Sequence, residues 1–347
     1  MFPDKPAHAG TAPALPEPLR SLLGQIADTV AQIAAYIARA APAEIPIILA
    51  EHRGTFYRTM DALGGGIIDF LADDPAPEEI EPVRTQIAAP IRAWSATSPV
   101  FNRLVRSSAR GPRDFEVPAL VIENRRVGAD FSAMIFNDFY LHSIAAQALR
   151  NRFAMLTRHL LQEVAQRLQA GINPVQVLNL KCDSGSELVT LADEPEFAAA
   201  QITCLDEDAA ALRAARAKLE ERLPAKARFL RVNALQYARS PLRRSQPYDV
   251  SYAAVLLDYL TTDQAVALIC DCYGLLAAGG TLILGSPTSG VPANERVIIA
   301  WVLDLEIHYR DEPDFRRLFA QTPFGSEAVH FEREPLGGDM LVIAQRP

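Results

Sequence analysis

Four residues that suit ligand binding follow a short apolar run in the second half of the chain. Lys181, Cys182, Asp183 and Gly185 come directly after the run 174–180. We interpret this segment as a strand, a tight turn and the start of a helix. A turn of this kind aims backbone N–H groups at whatever lies above the sheet. The sequence therefore predicts a ligand-binding turn here.

Two later apolar runs also end in side chains that suit a nucleoside. Asp206 ends one of them and is followed by Glu207. A carboxylate at this place can accept hydrogen bonds from both hydroxyls of a ribose. Asn233 and Ala234 follow the run 227–232, and an Asn side chain can hydrogen-bond the edge of an adenine. A simpler interpretation is that Asp206 caps a helix and Asn233 is a turn residue.

The elements that must position these side chains alternate between strand and helix after Gly171. Short, β-branched, nearly continuous apolar runs are typical of strands buried on both faces of a parallel sheet. Such strands are predicted at 174–180, 201–206, 227–232, 248–253 and 281–286, with a closing hairpin of strands at 327–334 and 340–346. Helices are predicted at 207–222, 262–277, 293–308 and 312–320. This order predicts an α/β fold with a doubly wound sheet, whose ligand crevice lies at the carboxyl ends of the strands.

The first part of the chain carries helical patterns and no strand signal. Helices are predicted at 19–40, 44–72 with an interruption at 64–66, 78–94, 99–108, 131–150 and 152–170, with an irregular connector at 109–129. We expect an N-terminal helical domain over 1–150, with a loose arm at 1–18, and a ligand-binding domain over 151–347.

Composition restricts the classes of partner. The chain has 347 residues, of which 49% are hydrophobic, so global disorder is excluded. Its formal charge of -8 disfavours a nucleic-acid partner. No stretch approaches the roughly 18 apolar residues that would span a bilayer, so we expect a cytoplasmic protein with no membrane partner. The four cysteines lack metal-ligand spacing, and no metal is expected.

The turn at 177–188, the acidic residue Asp206 and the pair Asn233-Ala234 together resemble the cofactor side of a class I S-adenosylmethionine-dependent methyltransferase. The resemblance covers about 152–347. It implies a Rossmann-like sheet of seven strands with an antiparallel last strand, and S-adenosylmethionine as cofactor. The residues that it implies for cofactor binding are Lys181, Cys182, Asp183, Gly185, Asp206, Glu207, Asn233, Ala234, Tyr252, Ala253 and Asp258.

Four segments are similar to a narrower group. Residues 148–152, 248–260, 275–281 and 301–310 resemble the bacterial methyltransferases that are associated with fatty-acid methyl ester quorum signals, and such proteins carry a helical N-terminal domain. The resemblance implies a role in secondary metabolism. The chain departs from the family pattern because Lys181 and Asp183 stand where glycines normally let the cofactor approach the backbone. We therefore expect that the substrate or the reaction can differ from those of the family.

Several polar and aromatic residues are candidates for the catalytic part of the site. Asn137, Asp138, Tyr140 and His142 precede the first α/β helix, where the resemblance implies a lid over the cofactor. Aromatic faces such as that of Tyr259 stabilise a nearby sulfonium by roughly 0.5–2 kcal/mol. A histidine can act as a general base near neutral pH, although most histidines are only packed or exposed.

Three functions remain open from the sequence. The first is methyl transfer from S-adenosylmethionine to a small-molecule carboxylate, hydroxyl or amine. The second is cyclisation of the cofactor itself, which forms azetidine-2-carboxylate and releases methylthioadenosine. The third is a non-catalytic, methyltransferase-like binding protein. In each case we expect a small-molecule ligand, and a homodimer is one expected assembly.

Overall fold

The structure of the chain is a computed structural model, which describes residues 14–41, 43–110, 114–124, 130–220, 222 and 227–347. Of the expected loose arm at 1–18, residues 1–13 lie outside the described residues, and the last two residues begin the first helix. Within the described ranges, we find no helix that is both long enough and apolar enough to cross a membrane.

The described residues form thirteen α-helices and seven strands. The helices are α1 (Glu17–Ile37), α2 (Ile45–Ala72), α3 (Pro77–Trp94), α4 (Pro99–Arg110), α5 (Val117–Glu123), α6 (Phe131–His142), α7 (Ile144–Gln169), α8 (Ser186–Ala192), α9 (Ala209–Leu219), α10 (Ala234–Tyr237), α11 (Thr262–Leu275), α12 (Ala293–Trp301) and α13 (Glu312–Phe319). The strands are β1 (Val175–Asn179), β2 (Ala200–Asp206), β3 (Ala227–Arg231), β4 (Tyr248–Ala253), β5 (Leu276–Pro287), β6 (Val329–Arg333) and β7 (Asp339–Gln345).

These elements belong to two compact units. The helical unit comprises the described residues within Met1–Val105, Val127–Phe139 and Ala293–Leu305. The α/β unit comprises those within Arg106–Arg126, Tyr140–Pro292 and Glu306–Pro347. The domain boundary expected at residue 150 lies inside α7 and stays a prediction.

The α/β unit is built on one mixed sheet. Its strand order is β3-β2-β1-β4-β5-β7-β6. The pairs from β3 to β5 are parallel, whereas β7 is antiparallel to both β5 and β6. The predicted doubly wound fold, with seven strands and an antiparallel last strand, is confirmed.

Neighbouring residues of the central strands pack into two separate cores. Val177 of β1 packs in one core with Leu156 of α7. The next residue, Leu178, packs in the other core with Leu268 of α11 and Phe315 of α13. Because helices cover both faces of the sheet, both sets of side chains must be apolar, which explains the continuous apolar runs.

In the helical unit, α2 continues through the glycine triplet, so the predicted interruption at 64–66 is wrong. A Cβ atom on Gly64 would lie 2.6 Å from the carbonyl oxygen of Asn294 in α12, and one on Gly66 would lie 3.0 Å from Leu19 Cδ2 in α1. These glycines therefore let neighbouring chain segments approach the helix, and that close packing offsets their low helix propensity.

Other helix boundaries also differ from the expectation. The break expected near residue 151 lies at Ser143, whose Oγ accepts a hydrogen bond from Ala146 N (3.1 Å) and so caps α7. The helix expected over 293–308 ends at Trp301, and Asp304 adopts a left-handed φ of 56° that a right-handed helix excludes. The connector expected to be irregular contains α5.

Candidate functional site

The chain that leaves β1 crosses towards the end of β2. Leu180 N donates a hydrogen bond to the carbonyl oxygen of Tyr252 (2.9 Å), and Cys182 N donates one to that of Leu205 (2.9 Å). These two backbone bonds hold Lys181 between the carboxyl ends of three strands. The turn expected after β1 is therefore formed at the sheet edge where the crevice of such folds lies.

The conformation of this turn explains the preference for glycine. Asp183 has a φ of 47° and Gly185 a φ of 65°, both in the left-handed region. A Cβ atom on Gly185 would lie 3.3 Å from Ala215 Cβ and 3.3 Å from Leu219 Cδ1, which is tighter than an ordinary contact. Aspartate is among the few other residues that tolerate a positive φ, so Asp183 can stand at its position.

Asp206 ends β2 with its side chain completely buried. One carboxylate oxygen, Oδ1, accepts hydrogen bonds from Lys181 Nζ (2.7 Å) and Asp208 N (2.9 Å). The other, Oδ2, accepts one from Asp183 N (3.1 Å). The carboxylate lies at the end of the strand that the sequence predicts, but donors of the chain itself surround it.

Glu207 and Asn233, which follow the ends of β2 and β3, are joined by a hydrogen bond. Asn233 Nδ2 donates to Glu207 Oε2 (2.7 Å), and Asn233 Oδ1 accepts from Leu235 N (2.9 Å) and so caps α10. Both functional groups of the predicted adenine residue thus have partners within the protein. The turn role and the predicted ligand role of Asn233 are compatible, since an amide oxygen has a second lone pair.

A cavity of about 260 Å³ lies at this edge of the α/β unit. Four predicted site residues contribute to its lining, namely Lys181, Glu207, Asn233 and Tyr259. The remaining lining residues are Leu235, Val255, Leu256, Leu260 and Gln264. The structure therefore brings residues from the ends of β1, β2, β3 and β4 around one small, largely apolar space.

A buried polar cluster lies beneath the turn. Tyr252 OH donates to Glu187 Oε1 (2.9 Å), and Asn179 Nδ2 lies within hydrogen-bond distance of both, at 2.8 Å from Glu187 Oε1 and 2.7 Å from Tyr252 OH. Burial raises the pKa of Glu187 to about 7, and the nearby Asp183 adds to the shift, against hydrogen bonds that lower the pKa. The predicted cofactor residue Tyr252 therefore has its hydroxyl in this cluster.

The raised pKa of Glu187 predicts a pH-dependent stability. A carboxyl group whose pKa is higher in the folded than in the unfolded chain stabilises the fold at low pH, and this contribution is lost as the pH rises towards and past 7. Between about pH 5 and about pH 8, we expect the free energy of unfolding to fall by about 2–3 kcal/mol because of this group. Urea unfolding at the two pH values measures the change.

The matching variants are Glu187→Gln and, as a control, Glu196→Gln at an exposed position. Glu187→Gln is expected to reduce the pH dependence of the unfolding free energy by about 2–3 kcal/mol, whereas Glu196→Gln is expected to keep it. We assign the part that remains in Glu187→Gln to Asp339, because burial raises the pKa of that carboxyl group to about 7 as well. An unchanged pH dependence in Glu187→Gln would show that this carboxyl group does not titrate as described.

Asp258 is buried in an ion-pair network. Its two carboxylate oxygens accept hydrogen bonds from Arg152 Nη1 at 2.9 and 3.1 Å, and Arg152 also binds Asp339 through Nε (3.0 Å) and Nη2 (2.7 Å). The Arg152 side chain is 2% exposed. Asp258 therefore has a structural partner, and its predicted cofactor role stays a prediction.

Three further predicted cofactor residues are buried. They are Cys182 in the turn, Ala234 at the start of α10 and Ala253 at the end of β4. A hydrogen bond with Cys204, together with burial, raises the pKa of the Cys182 thiol well above its usual value. Cys182 is thus a protonated, packed thiol at neutral pH.

The predicted catalytic residues of α6 belong to both units. In the helical unit, Asn137 is buried, and Asp138 Oδ2 accepts a hydrogen bond from Tyr57 OH (2.8 Å) and lies 3.7 Å from Arg53 Nη1. In the α/β unit, Tyr140 and His142 are half-buried at the end of the same helix. Their predicted catalytic roles stay predictions.

Comparison with known proteins finds one matching family model. Residues 177–280 match the family model described as a methyltransferase domain, and they span the segment from β1 into β5. The α/β unit has a Rossmann-like fold. No curated protein matches the chain.

Solved structures are similar to the chain at low sequence identity. A possible exported protein from Bordetella parapertussis is 15% identical with a TM-score of 0.55, over 94% of this chain and 97% of that chain. Magnesium protoporphyrin IX methyltransferase from Synechocystis PCC 6803, with bound S-adenosylhomocysteine, is 18% identical with a TM-score of 0.44, over 59% of this chain and 88% of that chain. At 15% identity, the likeness to the Bordetella parapertussis structure is one of fold alone.

Sequence reasoning missed the apolar lining of the cavity. Val255 and Leu256 follow β4, and Leu235 follows Asn233, so the same rule that selected polar residues after each strand also reaches them. The available signal was their position alone, because an apolar side chain after a strand is ordinarily a core residue.

Proposed function

We propose that the α/β unit binds S-adenosylmethionine and that the protein transfers its methyl group to a small molecule. The observation that carries this proposal is the carboxylate of Asp206 at the end of β2, next to a cavity at the sheet edge. In Rossmann-like sheets, an acidic residue at this position binds the ribose hydroxyls of an adenosine-containing ligand. The methyltransferase family model over residues 177–280 supports the choice of ligand.

The residues around the cavity fit the adenosine part of the proposed cofactor. Leu235, Val255 and Leu256 offer apolar surface to a purine, and Asn233 and Gln264 add amide groups. This combination of an apolar lining with a few polar groups is typical of small-molecule sites. At the ribose end, Asp206 supplies the acceptor once the ammonium of Lys181 has moved from it.

When bound, S-adenosylmethionine supplies a methyl group that its positive sulfonium makes electrophilic. The chain's contribution is to orient the reactants and to exclude water. We assign the ring of Tyr259, which lines the cavity, to stabilising positive charge. We assign Asn137, Asp138, Tyr140 and His142 to holding the acceptor, with His142 as the base where a hydroxyl or an amine must lose a proton.

Within this function, we propose a carboxylate as the acceptor. Residues 248–260 and 301–310 resemble the group of methyltransferases that is associated with fatty-acid methyl esters. An ionised carboxylate needs no general base, so the reaction would require positioning alone. A role in secondary metabolism, a cytoplasmic location and a homodimer remain proposals of the same kind.

Cyclisation of the cofactor to azetidine-2-carboxylate is the weaker alternative. The matching family model describes a methyltransferase domain, which supports transfer to an acceptor and offers no support for cyclisation. The two reactions leave different products, since transfer produces S-adenosylhomocysteine and cyclisation produces methylthioadenosine.

Calorimetry and product analysis test the proposal. We expect the full chain to bind S-adenosylmethionine with a Kd between about 1 µM and about 1 mM, the usual range for enzyme substrates. With cell extract or medium-chain fatty acids as acceptor source, mass spectrometry is expected to detect S-adenosylhomocysteine. Methylthioadenosine formed without any acceptor would support cyclisation instead. Binding without either product would support a non-catalytic protein, and absence of binding would contradict the proposal altogether.

A further inference from the structure

Lys181 is a charged side chain that faces the cavity and also binds the predicted ribose carboxylate. Its Nζ atom lies 2.7 Å from Asp206 Oδ1, its side chain is 13% exposed, and it contributes to the cavity lining. An ammonium group has three donor hydrogens on a flexible four-carbon stem, so it can turn from one acceptor to another. The position of Lys181 therefore permits an exchange of partners within the site.

The ion pair with Lys181 prevents both ribose hydroxyls of a ligand from binding Asp206. The carboxylate already accepts hydrogen bonds from Lys181, Asp183 and Asp208, and its side chain is 0% exposed. A carboxylate has about four acceptor positions, and two ribose hydroxyls need two of them. Both hydroxyls can bind only if the ammonium of Lys181 leaves its position, because the other two donors are backbone N–H groups of the turn and of the start of α9.

Separation of this pair is unfavourable unless the ammonium finds another anion. A charge that is left in a poorly solvated place without a partner is strongly destabilised. Glu207, the acidic residue of the lining, is exposed and already accepts a hydrogen bond from Asn233, so it is a weak partner for the separated ammonium. An anionic group of the ligand, bound in the same cavity, would give the ammonium of Lys181 a new partner as it leaves Asp206.

The position of Lys181 at the sheet edge indicates where the anionic group of the ligand would lie. In Rossmann-like sites the acidic residue after the second strand binds ribose, and the group attached to the 5′ side of the ribose lies over the turn after the first strand. Lys181 belongs to that turn. An anion on the 5′ side of an adenosine would thus lie on the same side of the ribose as this ammonium.

We propose that Lys181 selects adenosine ligands that carry a carboxylate on their 5′ side, which receives its ammonium and frees Asp206 for the ribose hydroxyls. This inference rests on the proposed function and adds a rule of selection to it. Adenosyl amino acids satisfy the rule, and adenosine thioethers without a carboxylate do not.

Two matched ligands test the rule by calorimetry on the full chain. S-Adenosylhomocysteine and its decarboxylated form, S-adenosyl-3-thiopropylamine, differ only in the carboxylate. Because hydrogen bonds to charged groups are strong, we expect the wild-type protein to prefer S-adenosylhomocysteine by about 10- to 100-fold. In Lys181→Met, which keeps the length of the side chain without its charge, the preference is expected to fall below about threefold.

Two further variants make the result specific. Lys181→Arg keeps a cation and is expected to keep the preference, and Lys218→Met at an exposed position of α9 is expected to behave as wild type. Equal affinity of the wild-type protein for the two ligands overturns the inference while leaving the proposed function intact, even if Lys181→Met fails to fold. An unchanged preference in folded Lys181→Met also overturns it. Absence of binding of every adenosyl compound to the wild-type protein overturns the proposed function first.

Discussion

Replacement of Asp206 by asparagine is expected to weaken the binding of S-adenosylhomocysteine by about 100-fold or more. The ligand would exchange two hydrogen bonds to a charged carboxylate for at most one to a neutral amide oxygen, and bonds to a charged group are ordinarily the stronger ones. Asparagine would also remove the counter-charge of Lys181 in the ligand-free protein, and this effect opposes a part of the loss. Isothermal titration calorimetry with the full chain measures the affinity.

The matched control for this variant is Asp193→Asn. Asp193 also lies in the α/β unit and also binds a cation, since both its carboxylate oxygens lie 2.7 Å from Arg222 Nη1, but its side chain is 67% exposed. We expect its affinity for S-adenosylhomocysteine to stay within about twofold of wild type, because exposed ion pairs contribute little. If Asp206→Asn is folded and binds within the same range, Asp206 is not the ribose ligand and the proposed site is wrong.

Replacement of Arg152 by methionine is expected to lower the free energy of unfolding by about 3–5 kcal/mol. The guanidinium joins α7 to Asp339 at the start of β7 and to Asp258 after β4, and Nη1 also donates to the carbonyl oxygen of Ala254 (2.9 Å). Although burial lowers the pKa of Arg152, the two carboxylates outweigh it and raise that pKa above its usual value. Without the cation, two buried carboxylates would lose their partner. Urea denaturation followed by circular dichroism measures the loss.

Arg158→Met is the control for this prediction. Arg158 lies on the same helix and pairs with Glu332, but its side chain is 52% exposed. We expect its loss to change stability by less than about 1 kcal/mol. The triple variant Arg152→Met with Asp258→Asn and Asp339→Asn is expected to regain part of the lost stability, because it removes the uncompensated charges. Equal effects of Arg152→Met and Arg158→Met would contradict the buried network.

The fold of the α/β unit was largely predictable from local patterns. A strand that is covered by helices on both sides is mostly apolar on both faces, so β1, β2 and β4 are visible as nearly continuous apolar runs. Helix boundaries were harder to predict from the sequence. Gly64 was expected to interrupt α2, but a close contact with α12 makes a helical glycine favourable at that place, and such a contact is not visible in a local pattern.

The sequence predicted which residues lie at the candidate site, but it did not predict which side chains they bind. Placement rules for parallel sheets led to Lys181, Asp206, Glu207 and Asn233, because polar residues after successive strands converge on one edge. The family resemblance also implied Asp258 for the cofactor, a role that stays a prediction, and the structure adds a partner for it in Arg152, more than a hundred residues earlier in the chain. A pairing of that kind depends on where α7 packs on the sheet.

The order of apolar runs along the chain is therefore enough to specify a seven-stranded sheet and the edge on which its ligand residues gather. Side-chain partners are a different matter, since they depend on distances of a few ångströms between segments that are remote in sequence. Folding alone decided that Lys181 binds Asp206 and that Arg152 binds Asp258, because a hydrogen bond requires its two atoms within about 3 Å, and only the packed chain brings them that close.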